Sequence, residues 1–152
     1  MKNPHTSQPL WTGRWSDVYQ FAKTVPGGEP IDFVPVRIAI RGPRFWPAAK
    51  KFPYLAALAP QGELFKISDR RKFTKAYRAR LDEFGYEHIY TLLEGLIDKY
   101  GRPLVLLCYE DVSDGTNWCH RQVFAEWWKD QTGQIVLEAP GFTAETLASV
   151  SA

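Results

Sequence analysis

Two cysteines, a histidine, an arginine and a carboxylate lie close together around one predicted strand-loop-helix turn, LVLLCYEDVSDGTNWCHRQVFAEWW. An apolar run ends at Cys108, and Glu110 follows two residues later. After a polar loop come Cys119, His120 and Arg121. Thiol, imidazole, guanidinium and carboxylate groups together can support nucleophilic, redox or acid–base chemistry. This turn is therefore the candidate active site, although its residues do not specify a reaction.

Cys119 is the predicted nucleophile or redox thiol. Asn117 or Thr116 is a suitable N-cap, which would place Cys119 in the first turn of a helix predicted over residues 118–129. Unpaired backbone N–H groups and the helix dipole favour an anion there, and the imidazole and guanidinium that follow would add to this effect. The same groups could equally hold a phosphate or a carboxylate, and the sequence does not rank the two functions.

Two further residues complete the predicted catalytic set. His120 would act as the base or ion-pair partner of Cys119, and Glu110 would orient the neighbouring arginine or accept a proton. The predicted anion- or substrate-binding residues are Arg41, Arg121 and Cys108.

Each of these residues also has a purely structural interpretation. Cys108 fits a buried small hydrophobe, and Cys119 could be inert. His120 could simply hydrogen-bond a loop carbonyl. Arg121 could form a structural clamp with Glu110 or with the aspartate that follows it.

No metal site and no cofactor are predicted. Zinc sites favour short Cys-x-x-Cys or histidine pairs, whereas Cys119 and His120 are adjacent and would point in different directions on a helix. Further ligands would have to come from the distant His5 or His88. Gly-x-Gly-x-x-Gly, Walker and Gly-x-Ser-x-Gly motifs are absent from the sequence.

Strands that alternate with helices would position these groups. The apolar residues of 31–41 alternate as in a strand, and 104–109 is apolar on both faces, as a central parallel strand would be. The remaining predicted elements are strands at 17–22 and 134–138 and helices at 69–84, 87–100 and 118–129. The predicted fold is a three-layer single α/β domain with a mostly parallel central sheet and its site at the strand carboxyl ends.

Within this organisation, residues 1–14 are predicted to be a flexible arm, 15–140 the domain and 141–152 a fraying tail. The segment 43–67 is rich in aromatic residues and prolines. It is either a lid over a site or a packed surface loop.

Composition excludes several classes of protein. A chain of 152 residues with 45% hydrophobic and 24% charged residues is typical of one globular domain. A net charge of +2 is too small to indicate a nucleic-acid partner by itself. There is no apolar run long enough to span a membrane, so a membrane partner is not expected.

The cysteine content predicts a cellular compartment. Two cysteines and an N-terminus without the apolar core of a signal peptide indicate a cytoplasmic protein with free thiols. A disulfide between Cys108 and Cys119 is the competing possibility.

A second cluster mixes basic with aromatic residues and could grip single-stranded nucleic acid or nucleotides. The alternative is a solvated helix face opposite a core stripe. The cluster comprises Lys50, Lys51, Phe52, Tyr54, Arg70, Arg71, Lys72, Phe73, Lys75, Tyr77, Arg78 and Arg80.

The chain resembles the domain of unknown function 488 (DUF488) family over roughly residues 17–138. The motifs that carry the resemblance are VRIAIRGP, LAPQGELF, FTKAYRARL and LVLLCYED followed by CHRQVFAEW. The resemblance implies a hallmark pair, Cys-x-Glu at a strand end and Cys-His-Arg. The loop between them, DVSDGTNW, is longer than the family leads us to expect. The family name implies no activity.

Three hypotheses follow. The first is a cysteine-dependent enzyme acting on a nucleotide or nucleobase-type compound. The second is a non-catalytic module that binds a small anion, a nucleotide, nucleic acid or a protein and has structural cysteines. The third is a partner-interaction protein that uses the aromatic residues of 44–54. The sequence does not predict the oligomeric state.

Overall fold

A four-stranded sheet in which every strand is parallel forms the centre of the fold. The computed structural model describes residues 10–23, 33–39, 42–109 and 118–138. The strand order is β2-β3-β1-β4. The strands are β1 (Leu10–Arg14), β2 (Val34–Arg37), β3 (Leu104–Cys108) and β4 (Leu137–Glu138). The predicted single α/β domain with a mostly parallel sheet is confirmed.

Strand β3 lies between β2 and β1, and all five of its side chains are buried. Successive side chains of a strand point to opposite faces of the sheet. Leu104 and Leu106 accordingly join one apolar cluster, while Val105 and Leu107 join the other. The continuous apolar sequence of β3 is therefore explained by burial on both faces.

Helices cover the two faces and produce three layers. The helices are α1 (Trp15–Ala22), α2 (Arg70–Phe84), α3 (Tyr86–Tyr100) and α4 (His120–Thr132). Helix α1 packs with Trp46 and Val105 on one face. Helices α2, α3 and α4 contribute apolar side chains to the cluster on the opposite face.

Helix boundaries follow local chemistry that the sequence displays. The sequence offers Ser68 or Asp69 as the N-cap of α2, and the Asp69 carboxylate is the one that accepts a hydrogen bond from the backbone N–H of Lys72, at 2.9 Å. Helix α3 ends at Gly101, whose φ of 66° is in the left-handed region that favours glycine. Both predicted boundaries are confirmed.

The amino-terminal part of the domain differs from the prediction. Leu10–Arg14, assigned to a flexible arm, form strand β1, and the strand predicted at 17–22 is part of helix α1. The predicted strands 31–41 and 134–138 shorten to Val34–Arg37 and Leu137–Glu138 within the described residues. Residues 1–9 and 139–152 lie outside them.

The aromatic segment 43–67 contains three short 3₁₀ turns, Pro47–Lys51, Ala56–Leu58 and Gly62–Lys66. Trp46 is buried, with its ring centroid 6.1 Å from that of Trp15. These contacts favour the packed-loop interpretation over a lid.

Two aromatic residues of the basic cluster, Phe73 and Tyr77, are buried in the core and cannot stack on bases. The Tyr77 hydroxyl donates a hydrogen bond to the Leu58 carbonyl at 2.6 Å. Arg80 donates hydrogen bonds to the carbonyls of Ala59 and Ala56. This part of the cluster is therefore better explained as a helix face opposite a core stripe.

In the part of the chain that the structure describes, no helix is both long enough and apolar enough to cross a membrane.

Candidate functional site

The two cysteines meet at the carboxyl edge of the sheet. Cys108 is the last residue of β3, and Cys119 is the N-cap residue of α4, eleven positions later. They form a disulfide, and both are buried, with Cys119 3% exposed. The prediction of free thiols is wrong, and the competing disulfide is what the structure shows. Cys119 also lies one position before the first helical turn in which it was predicted.

The disulfide lies at the point where the sheet topology reverses. Strands β1 and β3 are neighbours, with Arg14 in register with Cys108. After β1 the chain continues into α1, which packs on one face of the sheet. After β3 it continues into α4, which packs on the opposite face. Diverging connections of this kind open the crevice in which ligands bind in α/β proteins. The predicted location of the site at the strand carboxyl ends therefore agrees with the topology.

His120 links Cys119 to the end of β2. Its Nδ1 lies 3.4 Å from the Cys119 sulfur, and its Nε2 lies 2.5 Å from the carbonyl oxygen of Ile38. Because a carbonyl can only accept, Nε2 carries the proton and the Nδ1 lone pair faces the sulfur. The predicted hydrogen bond to a loop carbonyl is confirmed.

The environment of His120 keeps its imidazole neutral. Burial is the largest effect on its pKa and, with a smaller contribution from the nearby Arg121 charge, lowers the pKa to about 4. The hydrogen bond with Ile38 opposes this shift. With the cysteines bonded, Cys119 has no S–H to donate, so the Nδ1 lone pair contacts the sulfur without a hydrogen bond and can act as an acceptor only after the disulfide is reduced. An imidazolium–thiolate ion pair is not favoured, and a pKa this low makes His120 a weak base near neutral pH.

Arg121 is a buried charge held between a carboxylate and a sulfur. Only 1% of the residue is exposed. Its Nε donates to Glu138 Oε1 at 2.8 Å, and its Nη1 donates to the Cys108 sulfur at 3.1 Å. Thr12 Oγ1 also donates to Glu138 Oε1, at 2.8 Å. Arg121 therefore forms a structural clamp with Glu138, a partner that the sequence analysis did not name, and these contacts with protein groups give no support to a role in holding an external anion.

Four of the six predicted site residues come together in the structure: Cys108, Cys119, His120 and Arg121. Arg41 and Glu110 lie outside the described residues. A clamp between Arg121 and Glu110 therefore stays a prediction, whereas the clamp with Glu138 is observed. The prediction of Asn117 or Thr116 as the N-cap of α4 is wrong, because Cys119 is the N-cap residue.

Sequence reasoning missed three contributors: Glu138, Thr12 and the Ile38 carbonyl. A charged residue at the end of the strand predicted over 134–138 was a usable indication of Glu138. Thr12 could not be found, because its segment was not recognised as a strand. A backbone carbonyl has no identifying residue type.

The structure contradicts the argument that Cys119 and His120 point in different directions and so cannot share a metal ion. Cys119 and His120 were expected to point apart on one helix, but the N-cap residue is extended and does not share the helical geometry of the next residue. Cys108, Cys119 and His120 each present one ligand atom, and these atoms lie within 4.8 Å of one another. The three residues form a compact group of possible metal ligands.

The fold and these contacts define a class of protein: a single α/β domain with a buried cysteine pair, a histidine and an arginine at the carboxyl edge of a parallel sheet. Comparisons with protein-family models, curated proteins and solved structures found no match. The resemblance to the DUF488 family therefore stays a prediction that rests on its motifs.

The buried imidazole predicts a loss of stability in mild acid. His120 has a pKa of about 4 in the folded protein and about 6.5 when unfolded. The unfolded chain therefore binds more protons between these values, so stability falls as the pH is lowered through this window. We expect the His120 contribution to the free energy of unfolding to fall by about 2 kcal/mol from pH 7 to pH 5.

Urea unfolding of the oxidised protein at several pH values measures this slope. His120→Gln should flatten it, because the amide cannot titrate but can still donate to the Ile38 carbonyl. His88→Gln, at an exposed position of α3, is the matched control and should keep the slope. An unchanged slope in His120→Gln would contradict the assignment.

Proposed function

We propose that the protein is a thiol-dependent redox enzyme in which Cys108 and Cys119 alternate between a disulfide and a dithiol. The observation that carries the proposal is the buried guanidinium of Arg121, which lies 3.1 Å from the Cys108 sulfur. A fixed positive charge beside a sulfur favours its thiolate form once the disulfide opens. A purely structural disulfide does not require such a charge.

The contacts support a definite order of steps. An incoming thiolate attacks the Cys119 sulfur, which is the more exposed of the pair, and forms a mixed disulfide. The S–S bond breaks, and Cys108 leaves as a thiolate next to Arg121. A second thiol then displaces Cys119. In total, two thiols are oxidised to one disulfide, and two electrons and two protons pass to the cysteine pair.

The reverse reaction uses Cys119 as the nucleophile. His120 Nδ1 accepts a hydrogen bond from the Cys119 thiol and orients its sulfur, while Cys108 closes the disulfide again. Because Cys119 is only 3% exposed, exchange in either direction requires a local opening at the carboxyl edge.

The reduction potential tests the proposal. The protein is equilibrated in defined mixtures of reduced and oxidised dithiothreitol, and the thiols are trapped by alkylation and counted by mass spectrometry. We expect a midpoint potential above about −300 mV, since structural disulfides are typically below that value. A potential below it would show that the disulfide is structural.

Arginine variants connect this potential to Arg121. Arg121→Gln is expected to lower the potential, because the thiolate loses its positive partner, whereas Arg121→Lys should keep part of the effect. Arg37→Gln is the matched control. Arg37 lies at the end of β2 in register with Leu107, and its described side-chain contacts are with Tyr54 and the Phe52 carbonyl, not with either cysteine. Equal potentials in all three variants would remove Arg121 from the mechanism.

For the substrate class, we propose a nucleotide or nucleobase-type compound that carries the thiol or, for the reverse reaction, the disulfide that exchanges with Cys119. Supporting this are exposed aromatic rings at the same edge of the sheet. Tyr109 directly follows Cys108 and is 42% exposed. Tyr54 forms a bridge to Arg37 at the end of β2 and is also exposed. Such rings can stack on bases. Salt-sensitive oligonucleotide binding, combined with a structural potential for the disulfide, would instead favour the non-catalytic binding module.

We also propose a cytoplasmic location. In the cytosol, disulfides are usually transient and either catalytic or redox-sensing. A reversible Cys108–Cys119 pair is compatible with that compartment, and so is the low cysteine content of the sequence.

A further inference from the structure

We infer that in the reduced protein Cys108, Cys119 and His120 bind a Zn²⁺ ion. The inference rests on the proposed function in one respect, because it requires that the disulfide can be opened. The primary observation is the convergence of two sulfurs and one imidazole nitrogen within 4.8 Å. All three residues are buried at the carboxyl edge.

His120 is already oriented as a metal ligand. Its Nε2–H donates to the Ile38 carbonyl, which leaves the Nδ1 lone pair 3.4 Å from the Cys119 sulfur. Histidine ligands typically donate their other ring N–H to a carbonyl or carboxylate, which fixes both tautomer and ring orientation. The hydrogen bond that would fix the imidazole ligand is therefore present.

Small movements would convert the disulfide geometry into a coordination geometry. Zn–S bonds of about 2.3 Å at tetrahedral angles place two sulfurs about 3.8 Å apart. Breaking the S–S bond allows Cys108 and Cys119 to separate by side-chain rotation. The backbone positions of β3 and the N-terminus of α4 need not change greatly.

Charge and ligand type select the ion. Two thiolates neutralise one Zn²⁺, and sulfur with imidazole suits Zn²⁺ much better than Mg²⁺ or Ca²⁺, which prefer oxygen. The Arg121 charge is compensated by Glu138, with which it shares a 2.8 Å contact. Its hydrogen bond to Cys108 would then orient a ligand sulfur without leaving excess positive charge near the ion.

Metal binding and disulfide formation exclude each other, since they use the same sulfur electrons. A low-molecular-weight disulfide can oxidise the two thiolates. The protein S–S bond forms, the S–S bond of the oxidant breaks into two thiolates, and Zn²⁺ is released. The site would therefore couple the redox state to metal occupancy.

Cobalt and zinc titrations of the fully reduced protein test the inference. After reduction with a phosphine and its anaerobic removal, Co²⁺ should produce a thiolate-to-metal charge-transfer band that saturates at one equivalent. Zn²⁺ should then displace the Co²⁺ and abolish the band. Oxidised protein should give no band.

Variants identify the ligands. His120→Gln is expected to weaken Co²⁺ binding at least tenfold, and Cys119→Ser should weaken the charge-transfer band. His88→Gln is the matched control and should bind like the wild type. Equal losses in both histidine variants would overturn the assignment of His120, and circular dichroism of each variant checks that it is folded.

Counting alkylated thiols in the same reduced sample separates the two proposals. If both cysteines react with the alkylating reagent but no Co²⁺ band appears, the metal inference fails and the redox proposal stands. If the cysteines cannot be reduced without unfolding, both proposals fail. A band of unchanged intensity and affinity when either cysteine is replaced by alanine would indicate a different site and would also overturn the inference.

Discussion

Replacing Arg121 with methionine is expected to lower the free energy of unfolding by about 3 kcal/mol. The substitution removes the guanidinium from a buried pair and deprives Glu138 of its positive partner. Loss of one member of a buried pair costs about 3–5 kcal/mol. We place the effect at the lower end, because the Thr12 hydroxyl still donates to the Glu138 carboxylate at 2.8 Å when the guanidinium is gone. Urea unfolding at pH 7 with the disulfide intact measures the change.

Two further variants show whether the charge is responsible. In Arg121→Met combined with Glu138→Met, no unpaired carboxylate remains, so more than half of the lost stability should return. Thr12 keeps a carbonyl acceptor at Leu137 in this variant.

The matched surface control is Arg78→Met. Its pair with Asp130 has the same 2.8 Å separation but is exposed, with 33% and 59% of the two side chains accessible. We expect a loss below about 1 kcal/mol. A double variant no more stable than Arg121→Met alone would contradict the ion-pair explanation.

The sequence predicted well those elements that carry their own boundary residues. Helices α2 and α3 have apolar stripes of helical period, and Asp69, Gly85 and Gly101 mark their ends. Strand β3 is an apolar run bounded by polar residues, so its central position followed from its composition. In these elements local and tertiary preferences agree.

The errors near the amino terminus have a different physical origin. Strand β1 has only five residues, including a glycine, and is stabilised by pairing with β3 and β4, both more than ninety positions away. Local sequence cannot report such pairing. Helix α1 was assigned as a strand, although Trp15, Val18 and Ala22 have helical spacing and are all buried. Here the usable pattern was present but began at Trp15, two residues before the segment 17–22 that was predicted as a strand.

For the site, the sequence predicted the meeting of Cys108 with the Cys-His-Arg segment but not their contacts. The strand-end rule places the end of β3 beside the start of α4. It does not determine whether the sulfurs bond. Nor does it predict that Arg121 selects Glu138, seventeen residues later on another strand. Those outcomes depend on side-chain distances that only the folded arrangement defines.

Reducing the disulfide should destabilise the folded protein by about 3 kcal/mol. The bond closes a loop with a sequence separation of 11 residues, and in the chain-entropy description a loop of that size contributes about this amount. Urea unfolding of oxidised protein and of protein in excess phosphine, both at pH 7, measures the difference. The reduced samples contain a chelator, so that metal binding cannot compensate for the lost cross-link.

Cys119→Ala is the control, because the phosphine cannot change a chain that has no disulfide. Its stability should be equal with and without reductant and close to that of the reduced wild type.

The stability difference also determines the reduction potential of the disulfide. If the disulfide stabilises the folded state by about 3 kcal/mol, folding must stabilise the disulfide relative to the dithiol by the same amount. That amount corresponds to a midpoint potential about 60 mV lower in the folded than in the unfolded chain. If reduction left the unfolding curve unchanged, the folded and unfolded chains should have equal potentials, and the entropic account of the disulfide would have to be abandoned.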